Sequence, residues 1–445
     1  MYVRKNAATL TDDEWQRLND AIVVLKHTFP PGSDVSIYDQ FVAIHLGVTE
    51  LISGPQAGID GGHGGPAFLP WHREYIRRYE NALQAVDPRV SLPYWNWGLG
   101  PEAETTALFQ DNTMGPAGSG GASGFEVMSG YFAQAPNNAF NPLGWTIRPE
   151  LRPLGPGLQR NRTLNTSALP SATPVGNALA ETQYHNFRPA LERSPLHNFL
   201  HGWVGRDMAR MTSPNDPIFF LHHCQVDRIW AIWQRDHPGS ANYNPLGTGG
   251  SGHRLNDWIW PWDGGASAPN ATLTALIPTF ASTDRVRPAD VLDHRTLGYC
   301  YDDEPDCPCP AVPGPTVPGD TIHGEANPDL LIPDNRPEGV VSFIDIPNSG
   351  RLTDITVSVD ITHTWRGDLE VTLIAPGNFT ALLKGATGEP GSDLRQTYRP
   401  SDTPALASLV QGNINITGRW SLHVVDRAQR DVGRLVRWSL DLQAN

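Results

Sequence analysis

Cysteine is scarce in this chain. Four in 445 residues cannot staple a fold of this length, and three of them (Cys300, Cys307, Cys309) sit together, so stability has to come from packed cores. Positive charge is also short: 33 Lys and Arg against 47 Asp and Glu leave a formal net charge of -14, with no clustered basic run. That excludes nucleic acid and an anionic membrane surface as partners, since both need Lys and Arg gathered on one face. Nor is there an apolar run of the roughly 20 residues that a membrane-spanning helix requires. The opening MYVRKNAATLTDDEWQRL lacks the apolar stretch of a secretion leader and goes straight into a polar helix, with Thr11 as N-cap and Glu14 three residues on. The expected location is therefore the cytoplasm, with export alongside a partner left open. Hydrophobic residues make up 39% of the chain, enough for ordinary cores, and the length suggests two or three domains.

In place of thiols the chain sets histidines in register. Within Ser194 to Gln234, SPLHNFLHGWVGRDMARMTSPNDPIFFLHHCQVDRIWAIWQ, His197 and His201 stand one helical turn apart, the spacing that lets two imidazoles reach one ion. His223 follows in HHCQVD, four residues before Asp227, a carboxylate placed to orient an imidazole from behind. Upstream, HGGPAFLPWHR carries His63 on a Gly-rich loop and His72 at the start of a helix, and His45 ends the segment IYDQFVAIHLG. Two triplets of imidazoles without a paired thiolate or carboxylate suit copper, zinc or iron and leave coordination positions open for a small molecule. Spacing alone does not choose among these metals.

In chain order, residues 11–29 and 36–52 read as helices broken by Pro30-Pro31-Gly32. Trp71, Tyr75, Ile76, Tyr79, Leu83 and Val86 recur at the helical period. Residues 98–180, rich in Gly, Pro, Ser and Asn, lack periodicity and read as a long loop region. Helical character resumes near Glu181 and continues to about His237. The segment 302–320, with six prolines in nineteen residues, reads as a semi-rigid linker. The Cys307-Pro308-Cys309 stretch inside it could bind copper(I) through soft thiolates during metal loading, but a pair separated by one residue is more often incidental or bridged to Cys300; a copper chaperone is a separate candidate partner. Beyond it the composition changes: eleven of fourteen Trp and twelve of fifteen His lie before residue 302. The alternating segments RLTDITVSVDITH, DLEVTLIAP, FTALLKG, RWSLHVVD and GRLVRWSLDLQ then predict an antiparallel β-sandwich. The expected architecture is multidomain: a mainly α four-helix-bundle dicopper domain (1–301), the linker (302–320) and an all-β, jelly-roll-like sandwich (321–445).

The motifs HGGPAFLPWHREYIRRYE and DPIFFLHHCQVD, with the closing Tyr299-Cys300-Tyr301, resemble the copper signatures of the tyrosinase, catechol oxidase and hemocyanin group over about residues 10–301. The resemblance implies two copper ions, held by His45, His63 and His72 (copper A) and by His197, His201 and His223 (copper B), with His222 structural. Gly61 stands where many eukaryotic relatives carry a thioether-forming cysteine, so the chain looks bacterial in type. By the same resemblance the protein is a type 3 copper phenol oxidase that uses O2 as co-substrate to hydroxylate monophenols and oxidise o-diphenols to o-quinones. A catechol oxidase without the hydroxylase step, or an oxygen carrier, is the alternative. Glu192 and Asn198 match the pair that holds a water able to take the phenol proton. Phe68 and Trp71 keep the metal pair dry, Asp227 fixes an imidazole, and Arg210 falls where relatives face the incoming small phenolic substrate.

The tail, through HTWRGDLEVTLIAPGN and GRLVRWSLDL, resembles the P (Homo B) domain that follows the catalytic domain of proprotein convertases. The catalytic serine motif of those proteases is absent from residues 1–320. Some relatives hold calcium near the acidic GDL turn, which makes Asp368 a candidate ligand.

Overall fold

The structure is a computed structural model and describes residues 1–98, 102–118, 124–136, 140–152, 155–161, 168–239, 243, 253–277, 284–305, 307, 321–337, 339–346, 348, 350–376, 379–412 and 414–444. It divides into two compact units, Met1–Val23 with Tyr38–Gln84 and Arg89–Pro310, and Val24–Ile37 with Ala85–Pro88 and Ala311–Asn445. The division differs from a cut in chain order: two short segments from the helical half count with the second unit. Most of the Pro-rich stretch 302–320 lies outside the described residues.

The first helices form where the local signals place them. In α1 (Asp12–His27) Thr11 and Glu14 cap reciprocally: the Glu14 N–H donates to Thr11 Oγ1 at 3.2 Å and the Thr11 N–H to Glu14 Oε2 at 2.9 Å, which satisfies two donors that a helix start leaves open. Helix α2 (Ile37–Gly47) is buried along almost its whole length, and α3 (Phe68–Val86) buries Phe68, Trp71, Tyr75, Ile76, Tyr79 and Leu83. The aromatic side chains lock these helices to one another and to α8 (Ile218–Asp236): Tyr75 Oη of α3 donates to the Phe41 carbonyl of α2 at 2.8 Å, and Tyr79 stacks on Phe220 of α8 at 3.4 Å between centroids. Shorter helices α4 (Glu102–Leu108), α5 (Ala172–Leu179), α6 (Tyr184–Glu192) and α7 (His197–Val204) fill in between. A small α9 (Ala271–Ala275) follows α8.

The region 98–180 is more structured than its sequence predicts. Besides α4 and α5 it buries Met114, Val127, Phe132, Trp145, Ile147 and Leu158. These apolar residues pack singly from irregular backbone, so no period marks them. Arg160 fastens the segment with a buried two-pronged pair to Asp216, both contacts 2.7 Å.

Strand β1 (Tyr2–Arg4) pairs in parallel with β4 (Tyr299–Tyr301), while β2 (Leu51–Ser53) pairs with β3 (Ala268–Pro269). The β1–β4 pairing brings Arg4 and both tyrosines to a buried charge cluster. Asp227 there accepts from Arg73 Nε at 2.5 Å, from Tyr299 Oη at 2.7 Å and from Tyr301 Oη at 2.5 Å, with Arg4 at 3.2 Å. Cys300 is joined to Cys307 in a disulfide. That is the bridge to Cys300 expected as an alternative to copper(I) loading, and it leaves Cys307 no free thiolate; Cys309 lies outside the described residues.

The strands of the second unit are β5 (Ile322–Ala326), β6 (Leu330–Ile332), β7 (Val340–Ile346), β8 (Leu352–His363), β9 (Leu369–Ala375), β10 (Phe379–Lys384), β11 (Leu394–Tyr398), β12 (Gly418–Asp426) and β13 (Gly433–Ala444). They form two antiparallel sheets, β10-β9-β12-β7 and β11-β8-β13-β5, with β6 beside β13. Inward residues of both, among them Val357, Val371, Leu373, Trp420, Leu422, Trp438 and Leu440, share one core, as strict alternation requires of a sandwich. The expected mainly α domain followed by an all-β sandwich is what the chain forms. Four strands (β5, β6, β7 and β11) and the short helix α10 (Pro404–Gln411) were not legible as such. Asp368 closes a 3-10 turn at Arg366–Asp368. Among the described residues no group of three ligating side chains gathers there, so the calcium expectation finds no cluster at that turn.

Candidate metal centre

Two groups of histidines converge in the helical unit: His45, His63 and His72, and His197, His201, His222 and His223. Helices α2 and α3 and the Gly-rich loop before α3 present the first; α7 and α8 present the second. Five of these rings are aimed by an acceptor at Nδ1. His45 donates to the Met211 carbonyl at 2.7 Å, His72 to Phe68 at 2.8 Å and His201 to Met208 at 2.7 Å. His63 donates to Asp60 Oδ1 at 3.2 Å, and His197 is shared between the Glu192 carbonyl (3.1 Å) and Asn198 Oδ1 (2.9 Å). A carbonyl or carboxylate only accepts, so each Nδ1 carries the hydrogen and each Nε2 keeps a lone pair.

Those lone pairs face one another: His63 Nε2 is 3.2 Å from His45 Nε2 and His201 Nε2 is 3.1 Å from His197 Nε2, while His72 Nε2 is buried without a hydrogen-bond partner. His223, whose Nδ1 has no acceptor to fix its tautomer, brings its Nε2 within 3.3 Å of His197 Nε2. Acceptor against acceptor at that distance is unfavourable unless a cation sits between them. Two nitrogens bound to one ion at about 2.0–2.1 Å stand roughly 2.8–3.4 Å apart for angles from square to tetrahedral. The residues present thus fit two all-imidazole metal sites.

Burial keeps the ligands neutral. Desolvation, with neighbouring imidazoles adding to it, pushes His45, His72, His197, His222 and His223 well below the ordinary histidine range. For His201, burial outweighs the Met208 carbonyl and lowers the pKa to about 4. A neutral imidazole is the form that binds metal.

Aromatic rings separate the sites from water. Phe68 lies between the groups, 4.8 Å from both the His72 and the His197 ring, and His72 stacks on His223 at 4.2 Å. Trp71 packs 4.8 Å from His72. Phe219 is 4.9 Å from His45 and 4.1 Å from His223, a bridging role that the FF pair of DPIFFLHH did not disclose. Asp60 is likewise new. Its carboxylate caps the N–H groups of Gly62 and His63 while it orients the His63 ring, a local turn visible in hindsight as DGGH.

Asp227 is a correction. It stands one turn beyond His223, but its carboxylate is taken up by Arg73, Arg4, Tyr299 and Tyr301, and His223 Nδ1 meets no hydrogen-bond partner. Burial alone would raise this carboxyl; Arg73 and Arg4 outweigh that and hold it at about 2. It is an anchor between α3 and α8, since Arg73 directly follows His72, and not the orienter of an imidazole.

His222 sits inside the second group, stacked 5.0 Å from His197 and edge-on 4.9 Å from His201. The His197 backbone lies near enough to favour its charged form yet outside hydrogen-bond geometry. Glu192 is buried; its Oε1 accepts from the Gly64 N–H at 2.5 Å and its Oε2 pairs with Arg188. Glu192 and Asn198 therefore meet at His197, one through its backbone and the other through its side chain. Arg210 is exposed on the turn between Met208 and Met211. Asp207, three residues before it, pairs with Arg152 at 2.9 Å.

Residues 35–236 match the common central domain of tyrosinase, and residues 352–442 the proprotein convertase P-domain. A tyrosinase of Streptomyces glaucescens is 37% identical over 316 residues, which cover 68% of this chain and 99% of that protein. Grixazone synthase of Streptomyces griseus is 33% identical, with coverages of 68% and 99%, and a tyrosinase of Streptomyces antibioticus is 36% identical, with coverages of 59% and 93%. The two imidazole clusters lie within the shared part, so copper is the metal they fit. With both halves of its dicopper site in place and a P domain following, the chain belongs to the tyrosinase family of type 3 copper oxidases.

Proposed function

We propose that this protein uses O2 to hydroxylate monophenols and to oxidise o-diphenols to o-quinones. The observation that supports the hydroxylase step is that the Glu192 carboxylate is held by the N–H of Gly64, next to His63, while Asn198 Oδ1 lies 2.9 Å from His197 Nδ1. Bound copper supplies the electron transfer by which O2 is reduced. The protein does the rest. Phe68, Trp71 and Phe219 exclude water, the Nδ1 acceptors hold five of the six ligand rings in one tautomer, and Glu192, tied to Gly64 and Arg188, holds a water with Asn198. The phenolic proton passes to that water as the phenol docks. A catechol oxidase has less need of such a base, because o-diphenols are more acidic; the similarity to proteins named tyrosinase and grixazone synthase supports an oxidase over an oxygen carrier.

Glu192→Gln and Asn198→Ala are expected to lower kcat/KM for a monophenol by about 10²- to 10⁴-fold, the usual cost of losing a general base, and to affect an o-diphenol much less. Equal losses on both substrates, with copper content unchanged at two per chain, would show that the pair acts through structure alone.

Arg210 is proposed to face the substrate from the Met208–Met211 turn and to favour phenols bearing a carboxylate over amines such as tyramine. Because the side chain is exposed, the contact is worth roughly 0.2–1 kcal/mol, up to about fivefold. In Arg210→Ala the ratio of kcat/KM for a hydroxyphenyl acid to that for tyramine should fall by up to about fivefold; an unmoved ratio removes Arg210 from substrate selection.

A further inference from the structure

One tight turn supports a ligand of each metal. Met208 O holds His201 and Met211 O holds His45, both at 2.7 Å, so carbonyls three residues apart aim one imidazole of the second cluster and one of the first. The turn leaves α7 sharply: Gly205 and Arg206 take positive φ values of 72° and 52°, a reversal that is strained for a non-glycine residue and persists only if its surroundings hold it. What holds it is Asp207. This carboxylate, 1% exposed, accepts from the Gln159 N–H at 2.7 Å and pairs with Arg152 at 2.9 Å, while its own N–H donates to the Gln159 carbonyl at 3.2 Å. Arg152 is 2% exposed, and its Nε, though close, is not aligned as a hydrogen bond to the carboxylate; the pair acts by charge, and Arg152 is tied in turn to the Gly157 carbonyl. Asp207 touches no histidine of either cluster.

We propose that Asp207, paired with Arg152, is a positioning residue for both copper sites at once, acting through the Met208 and Met211 carbonyls. Loosening the turn releases the Nδ1 hydrogen bonds of His201 and His45 together, which frees both rings to rotate and lowers the basicity of both Nε2 atoms. The two ions are thereby coupled through backbone, in addition to whatever links them directly. Loss of a partner behind a ligand typically weakens metal binding by about 10- to 100-fold.

The proposal rests on the copper reading of the site, and the test separates the two. Full-length protein and the variants Asp207→Asn, Asp207→Glu and Arg152→Lys are loaded with copper, the metal is counted per chain, and its release to a coloured copper(I) chelator is followed after reduction. If the parent binds fewer than two coppers, the reading of the site fails. If the parent binds two, Asp207→Asn should release both about 10- to 100-fold faster, while Asp207→Glu and Arg152→Lys, which keep the ion pair, should lie closer to the parent. Release at the parental rate, or acceleration confined to one copper, overturns the proposal. Should Asp207→Asn fail to fold, Arg152→Met, which removes the charge paired with Asp207, takes its place, and parental release of both ions from that variant overturns the proposal equally.

Discussion

His223→Ala is expected to bind one copper instead of two and to lose at least about 10⁵-fold in phenol oxidation, close to the whole of a modest enzymatic rate enhancement. His223 is almost fully buried and is wedged between His72, Phe219 and His197, with its Nε2 3.3 Å from that of His197. Truncation removes the one donor that α8 gives to the second site in this reading, and leaves a cavity costing roughly 2–5 kcal/mol, which a domain with a stability of about 5–15 kcal/mol survives. The informative comparison is His222→Phe. His222, the residue before His223, stacks on His197, and if it is structural the variant keeps both coppers. Copper counted per chain decides: two coppers in His223→Ala would sink the ligand assignment, and equal loss in both variants would make His222 a ligand as well.

A steep acid limit on the metal-free protein is the second large effect expected. Above pH about 6.5 the imidazoles are neutral in the folded and unfolded chain alike, so they contribute no pH dependence. Below it the unfolded chain takes up protons that the buried rings refuse, and stability falls with pH until the folded pKa is reached, about 4 for His201. Each such ring contributes a slope of about 1.4 kcal/mol per pH unit, so three of them lose about 6 kcal/mol between pH 6.5 and 5. Asp207 works in the opposite sense. Burial pushes its carboxyl up to about 6, so protonation of the folded state offsets roughly one ring. Asp227, held at about 2, does not titrate in this window. Urea unfolding of the metal-free full-length chain at pH 7.5 and pH 5, followed by tryptophan fluorescence because eleven of fourteen Trp precede residue 302, should show a large fall in midpoint. Bound copper should raise the midpoint at both pH values without reducing that fall, because the loaded rings likewise take up no protons until the chain unfolds. A midpoint unchanged between the two pH values would mean that the rings are not held neutral by burial.

Much of the site was legible because its determinants are local. An HxxxH pair needs only helical periodicity to bring two rings together, the Thr11–Glu14 cap needs four consecutive residues, and the strict alternation of LEVTLIA needs only a pleat. The same locality misled at Asp227. One turn from His223 on the same helix face, it satisfied every local criterion for an imidazole partner, yet Arg4 arrives from the far end of the sequence through β1, and Arg73 from α3, and two guanidinium charges draw a carboxylate more strongly than a neutral ring does. The long stretch 98–180 was opaque for a related reason, since side chains buried singly from irregular backbone leave no period to read.

By itself the sequence determined which residue types would hold metal, their helical spacing, and the change from an α to a β pattern after residue 302. Only the tertiary structure decided what stands behind those ligands. Four of the five Nδ1 partners include backbone carbonyls, of Met211, Phe68, Met208 and Glu192, and a carbonyl is carried by every residue alike, so no side-chain pattern can announce which one the fold will bring to a ring.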